Sequence, residues 1–199
     1  YYQGLARLPR RARRALQRRW RRSLASIALL CALGQAPALA ATINVGGGCT
    51  LVDAITAANS DTATGGCSAG SGGDTIFLPS DSTHTLRTVN NNTDGPNGLP
   101  VISSVITIAG NSSTITRDSS APLFRILAVG ATGNLTLQGT TVTGGRASDS
   151  CSSFPMDPCR GGGIFNRGTL TLDHSSVSGN VSRYTAAGSN DRGSGGHRE

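Results

Sequence analysis

The sequence predicts an all-β protein: a right-handed parallel β-helix, a short solenoid of three to four rungs with a small N-terminal capping helix. Three observations carry that reading. Gly133-Asn-Leu-Thr-Leu-Gln-Gly-Thr-Thr-Val-Thr-Gly-Gly145 aligns without gaps on Gly168-Thr-Leu-Thr-Leu-Asp-His-Ser-Ser-Val-Ser-Gly-Asn180, at a separation of 35 residues. Repetition at this scale is the mark of units that cannot bury an apolar face alone and must stack. Within each copy apolar residues alternate with Thr or Ser, so one side faces a core and the other water. Gly and Asn at the segment ends supply the positive-φ corners that a coil requires. An antiparallel β-sandwich of the same short strands is the alternative, but it gives no reason for a gapless repeat.

Charge sorts the chain into two parts. All 18 basic residues are Arg, nine of them between Arg7 and Arg22, and residues 1–40 hold no acid. The remaining 159 residues carry nine Arg against 11 acids, so the body is near neutral and a nucleic-acid role loses its main support. The body also holds only five aromatics, against 67 Gly, Ser and Thr, which suits a narrow aliphatic core.

Residues 1–40 read as a signal peptide with a basic leader. The arginines run into Ser23–Ala36, an apolar stretch shorter than the roughly 20 residues that span a bilayer. Pro37-Ala38-Leu39-Ala40-Ala41 follows, and small residues at Ala38 and Ala40 place cleavage between Ala40 and Ala41. The rival is an uncleaved, membrane-tethered helix. Leu30 before Cys31 is bulkier than lipoprotein sites use, and the pair Arg21-Arg22 is a weak twin-arginine signal in so basic a context. The chain starts without Met, so the natural start is expected elsewhere.

Residues 41–73 read as a disulfide-stapled cap. Thr50-Leu-Val-Asp-Ala-Ile-Thr-Ala-Ala-Asn59 places Leu51, Ile55 and Ala58 on one helical face, and Thr50 with Asp53 forms a capping-box pattern. Four cysteines remain beyond the signal, Cys49, Cys67, Cys151 and Cys159, an even number that reads as disulfides in an exported chain. Three connectivities are open, and pairing Cys49 with Cys67 and Cys151 with Cys159 is the simplest. Neither pair has the short spacing of a zinc site.

Residues 74–180 are expected to form the β-helix, from Thr75–Leu78, Thr85-Leu86, Val101-Ile102, Val105–Ile108, Thr114–Thr116 and Leu123–Leu127 onward. A looser copy of the repeat, Ile106–Thr116, needs two extra residues to match. The loop Arg146–Arg160, with Phe154 and Met156 as its apolar contacts for a partner, interrupts the repeat and is the candidate binding loop. Residues 181–199 are polar and read as a disordered or truncated tail, with truncation the favoured expectation.

At Gly48-Cys-Thr-Leu-Val-Asp-Ala-Ile-Thr-Ala-Ala-Asn59, Gly66-Cys67 and Gly73-Asp-Thr-Ile-Phe-Leu-Pro79 the chain resembles the N-terminal module of bacterial exported proteins of the CSLREA-domain or choice-of-anchor type. Thr50, Val52 and Asp53 depart from the pattern that names that module. Gly161-Gly-Gly-Ile-Phe-Asn166, Gly168–Leu172 and Val177-Ser-Gly-Asn180 are similar to its right-handed β-helix repeats and, more loosely, to polymorphic outer-membrane protein repeats. The likeness spans Thr42 to Asn180 and implies export to the cell surface or medium, in an adhesive role. Host or environmental surface glycans or proteins are the partners it implies.

Parallel β-helices also carry polysaccharide lyases and hydrolases. Asn92-Thr-Asp-Gly95 resembles one polygalacturonase signature, but the companion Asp pair, Gly-His-Gly and Arg-x-Lys are absent, and a glycosidase needs a second carboxylate on the same sugar. The block reads more simply as a turn reversing at Asp94-Gly95. Asp118, Asp149, Asp157 and Asp173 are single acids on turns without calcium-site grouping, and His84, His174 and His197 lie far apart. No catalytic residue, metal site or cofactor is assigned; the expectation is a structural, adhesive module, with a β-helix lyase or hydrolase whose catalytic rungs lie outside this sequence as the alternative.

Overall fold

The computed structural model describes residues 39–147 and 160–182. The described residues form one compact unit, a parallel β-solenoid of about four turns. Ten described elements build it: β1 (Thr42–Asn44), α1 (Leu51–Ser60), β2 (Gly73–Phe77), β3 (Thr83–Leu86), β4 (Val105–Arg117), β5 (Leu127–Val129), β6 (Asn134–Thr143), β7 (Ile164–Asn166), β8 (Thr169–Asp173) and β9 (Ser176–Val177).

The principal face stacks β1, β2, β4, β6 and β8, all in parallel. Pairing puts Ile43, Ile76, Ile108, Leu137 and Leu172 in one column. The first four are fully buried, whereas Leu172 is 46% exposed on the last described rung. A neighbouring column starts with Asp74 and continues through Ile106, Leu135 and Leu170. The second face joins β3, the second half of β4, the second half of β6 and β9, giving the column His84, Ile115, Val142 and Val177. A third face pairs Ile102 with Val129 and β5 with β7. Alternation of Thr with Leu, Ile or Val therefore fills a narrow interior with aliphatic side chains, one layer per turn.

The internal repeat and the pairing register coincide. Leu135 faces Leu170 and Val142 faces Val177, each 35 residues on, as the gapless alignment requires. The looser copy pairs Ile106 with Leu135 and Ile115 with Val142, and the register shift lies between Ala109 and Ser113. Its two extra residues are Asn111 and Ser112, which turn the corner at φ 47° and 67°. The next rung turns the same corner with Gly139 and the last with His174, at φ 54° and 48°. A different corner, ahead of the principal face, needs glycine for space: a Cβ on Gly168 would run into the carbonyl oxygens of Gly133 and Gly130.

Two expectations shift in detail. A first strand, β1, precedes the cap and already belongs to the principal sheet, so the solenoid starts at Thr42 and the cap is inserted between its first two strands. The strand expected over Leu123–Leu127 lies at Leu127–Val129, because Phe124, Arg125 and Ile126 pass around a corner and the ladder on β7 begins only at Leu127.

The cap forms for the reasons its sequence suggests. Thr50 accepts the Asp53 N–H at 3.1 Å, and its hydroxyl donates to the Asp53 carboxylate at 2.6 Å. Asp53 thus grips the Thr50 side chain, where a full capping box would have it accept the Thr50 backbone N–H. Leu51, Ala54, Ile55, Ala57 and Ala58 are buried against the first turns, and Asp61 closes the helix in the left-handed conformation. Asn59 then ties the helix to the chain entering β4, donating to the Val101 carbonyl at 2.8 Å and accepting the Ser103 N–H at 2.9 Å. One end of the stack, which would otherwise expose unpaired strand edges, is thereby covered.

Candidate functional site

Cys49 and Cys67 form a disulfide across 18 residues, with both side chains buried beside α1. Cys151 and Cys159, with Phe154 and Met156 of the candidate binding loop, lie outside the described residues, as do the expected leader up to Ala38 and the tail beyond Ser182.

The expected cleavage bond joins Ala40 to Ala41. Leu39 is 80% exposed and Ala40 is also exposed, while the Ala41 carbonyl already accepts the Thr75 N–H at 2.9 Å. The backbone ladder thus begins immediately after that bond. The Ala41 N–H donates to Asp74 Oδ1 at 3.1 Å, and the same oxygen accepts the Ser71 N–H at 2.8 Å. Asp74 is 1% exposed, and its Oδ2 is buried with no hydrogen-bond partner among the described residues.

Asp94 sits where the turn reading puts it. Asp94 and Gly95 both have positive φ, and an antiparallel bridge joins Asn91 to Asn97 across the turn. Its carboxylate pairs with Arg167 Nη1 at 3.0 Å, and its carbonyl accepts from Arg125. Arg125 is fully buried, with its guanidinium 4.6 Å from the Phe165 ring centre. The polygalacturonase-like signature is therefore part of a clasp holding a loop to the third face.

Asp118 and Asp173 also have local partners. Asp118 accepts both the N–H and the hydroxyl of Ser120, and these bonds, assisted by Arg87, hold its carboxyl below the ordinary range. Asp173 lies against His174 and Gln138. Asp149 and Asp157 lie outside the described residues, and so does His197. Arg117 turns inward at the second corner and donates to the carbonyls of Gly144, Asp118 and Ala121 at 2.8–3.0 Å. Burial, and after it the charge of Arg146, lowers its pKa.

One cluster was not foreseen in the sequence. Ser82 Oγ lies 2.9 Å from His84 Nε2 and 3.0 Å from Ser113 Oγ. A serine beside an imidazole is the start of a nucleophile and base pair. Proton directions argue otherwise. Ser113 donates to the Pro79 carbonyl at 2.7 Å, so its oxygen is left to accept from the Ser82 hydroxyl. Ser82 then accepts from His84 Nε2–H, and an imidazole donating through that nitrogen is not a base toward Ser82. Burial lowers the His84 pKa, which keeps the ring neutral in this chain of bonds. The cluster spans two rungs, and its signal in the sequence is confined to Ser82, just ahead of β3, and His84 two residues later within it.

On the last described rung, Arg160, Ile164, Phe165, Leu170, Leu172 and Val177 line an open hollow of about 520 Å³. Among the described residues no group of three or more His, Cys, Asp or Glu is placed to hold a metal ion, and no helix is long and apolar enough to cross a membrane.

No protein-family model matches the chain. No curated protein and no solved structure matches it either. The described side chains brace corners, tie loops to faces and staple the cap.

Proposed function

We propose that the protein is an exported structural and adhesive module, displayed at a bacterial cell surface or secreted, built on a right-handed β-helix of the CSLREA or choice-of-anchor type. The observation that carries the reading is how the described acids are used. Asp61, Asp81 and Asp94 occupy left-handed turn positions, Asp53 holds the Thr50 side chain that caps α1, Asp74 accepts two backbone N–H groups, and Asp118 and Asp173 bond to their neighbours. Charged groups spent on corners support a scaffold whose purpose is surface and length, where catalysis would call for paired carboxylates facing a common substrate. A near-neutral body and an N-terminal export pattern support the same reading, and the partners are surface glycans or proteins.

The test is adhesion. The chain, processed by a bacterial host, is applied to arrays of surface glycans and to protein-coated surfaces and compared with the reduced, unfolded chain. Saturable retention of the folded chain alone supports the proposal. Release of reducing ends or of unsaturated uronic products from polysaccharides, without retention, would replace it with the carbohydrate-active alternative.

A further inference from the structure

We infer that cleavage after Ala40 creates a binding partner for a buried carboxylate: the new α-ammonium of Ala41 becomes the counter-ion of Asp74 and locks the first turn of the solenoid. The inference rests on the proposed export of the chain and goes beyond it, because it assigns processing a role in the fold.

Asp74 stands at an inward position that the following rungs fill with Ile106, Leu135 and Leu170. An ionised carboxylate in such a place is costly unless paired. Two backbone amides, of Ala41 and Ser71, reach Oδ1, and Oδ2 has no partner among the described residues. Gly70 packs against Oδ2 so closely that any Cβ there would strike it, so the pocket around the carboxylate is tight. The uncleaved chain offers a single neutral N–H at Ala41.

Hydrolysis changes that donor. Water adds across the Ala40–Ala41 amide, catalysed by an endoprotease of the signal-peptidase class. The C–N bond breaks, Ala40 takes the water oxygen and leaves as a carboxylate, and the Ala41 nitrogen adds both water protons to its own to become an ammonium. The same nitrogen, already 3.1 Å from Oδ1, then carries a positive charge and three donors, enough to serve both carboxylate oxygens. Its carbonyl stays in the ladder on Thr75, which holds the ammonium in place.

The experiment uses residues 41–199 in two forms, one beginning with the free amine of Ala41 and one acetylated there, each made with Asp74 intact and with Asp74→Asn. The free-amine form is expected to melt higher by on the order of 5–10 °C, and Asp74→Asn to remove most of that gap. The α-amine is also expected to react with an acylating reagent at neutral pH at least about tenfold more slowly in the folded than in the unfolded chain, a readout that does not need the Asn variant to fold. Equal melting of the two forms, or a gap that survives Asp74→Asn, would overturn the ion pair while leaving export untouched. A mature N-terminus other than Ala41 on the exported protein would overturn the processing step itself.

Discussion

Stacking makes the cost of truncating a core residue depend on which rung it occupies. Leu137 and Leu172 are register partners with identical chemistry, yet Leu137 is fully buried between Ile108 and Leu172, whereas Leu172 is 46% exposed. Leu137→Ala removes about three methylene equivalents at ~0.8 kcal/mol each and leaves a sealed cavity, for a total of about 3–4 kcal/mol. Leu172→Ala gives up roughly half of that transfer term and leaves no enclosed void, so about 1 kcal/mol is expected. At about 2–4 °C per kcal/mol, the melting temperatures should fall by about 10 °C and about 3 °C. Urea unfolding of both variants, with slopes equal to that of the parent, gives the two costs directly. Equal costs at the two sites would refute the stacked column.

Three further outcomes follow from the same geometry. Replacing both Cys49 and Cys67 by Ala should cost about 3 kcal/mol, the chain-entropy value for an 18-residue closure, read as the difference in unfolding midpoint. His174→Gly should raise stability by about 1 kcal/mol in thermal melts, since it relieves a left-handed corner at φ 48° while giving up only a 91% exposed side chain. For His84, burial lowers the folded-state pKa, so the unfolded chain binds more protons. Its contribution is complete above the ordinary value of about 6.5 and is lost as pH falls toward the folded-state value; His84→Gln should flatten that part of a stability profile between pH 7 and pH 5.

The fold was legible wherever periodicity was strong. Leu135, Leu137 and Val142 repeat as Leu170, Leu172 and Val177 in register, and the two-residue mismatch of the earlier copy became the Asn111-Ser112 corner. The local pairing of Cys49 with Cys67 and the Thr50 cap were legible because both depend on short-range geometry. β1 was not: three residues with a single inward Ile43 carry no period, and only pairing with β2 makes them a strand. Asp74 was hidden for a related reason. Asp74 shares the inward side of its strand with Ile76, and only the folded chain brings the Ala41 and Ser71 N–H groups to its carboxylate. The Ser82, His84 and Ser113 chain joins adjacent rungs and needs the register before it can be seen.

Export with removal of the leader is the claim on which both the functional proposal and the Asp74 inference depend. The measurement that reaches it most directly is N-terminal sequencing, with intact mass, of the protein recovered from the medium or surface fraction of a bacterial host expressing the whole chain. The account predicts a first residue of Ala41, with the fragment up to Ala40 absent from the recovered mass. Recovery of the chain in the cell interior with residues 1–40 still attached would contradict it.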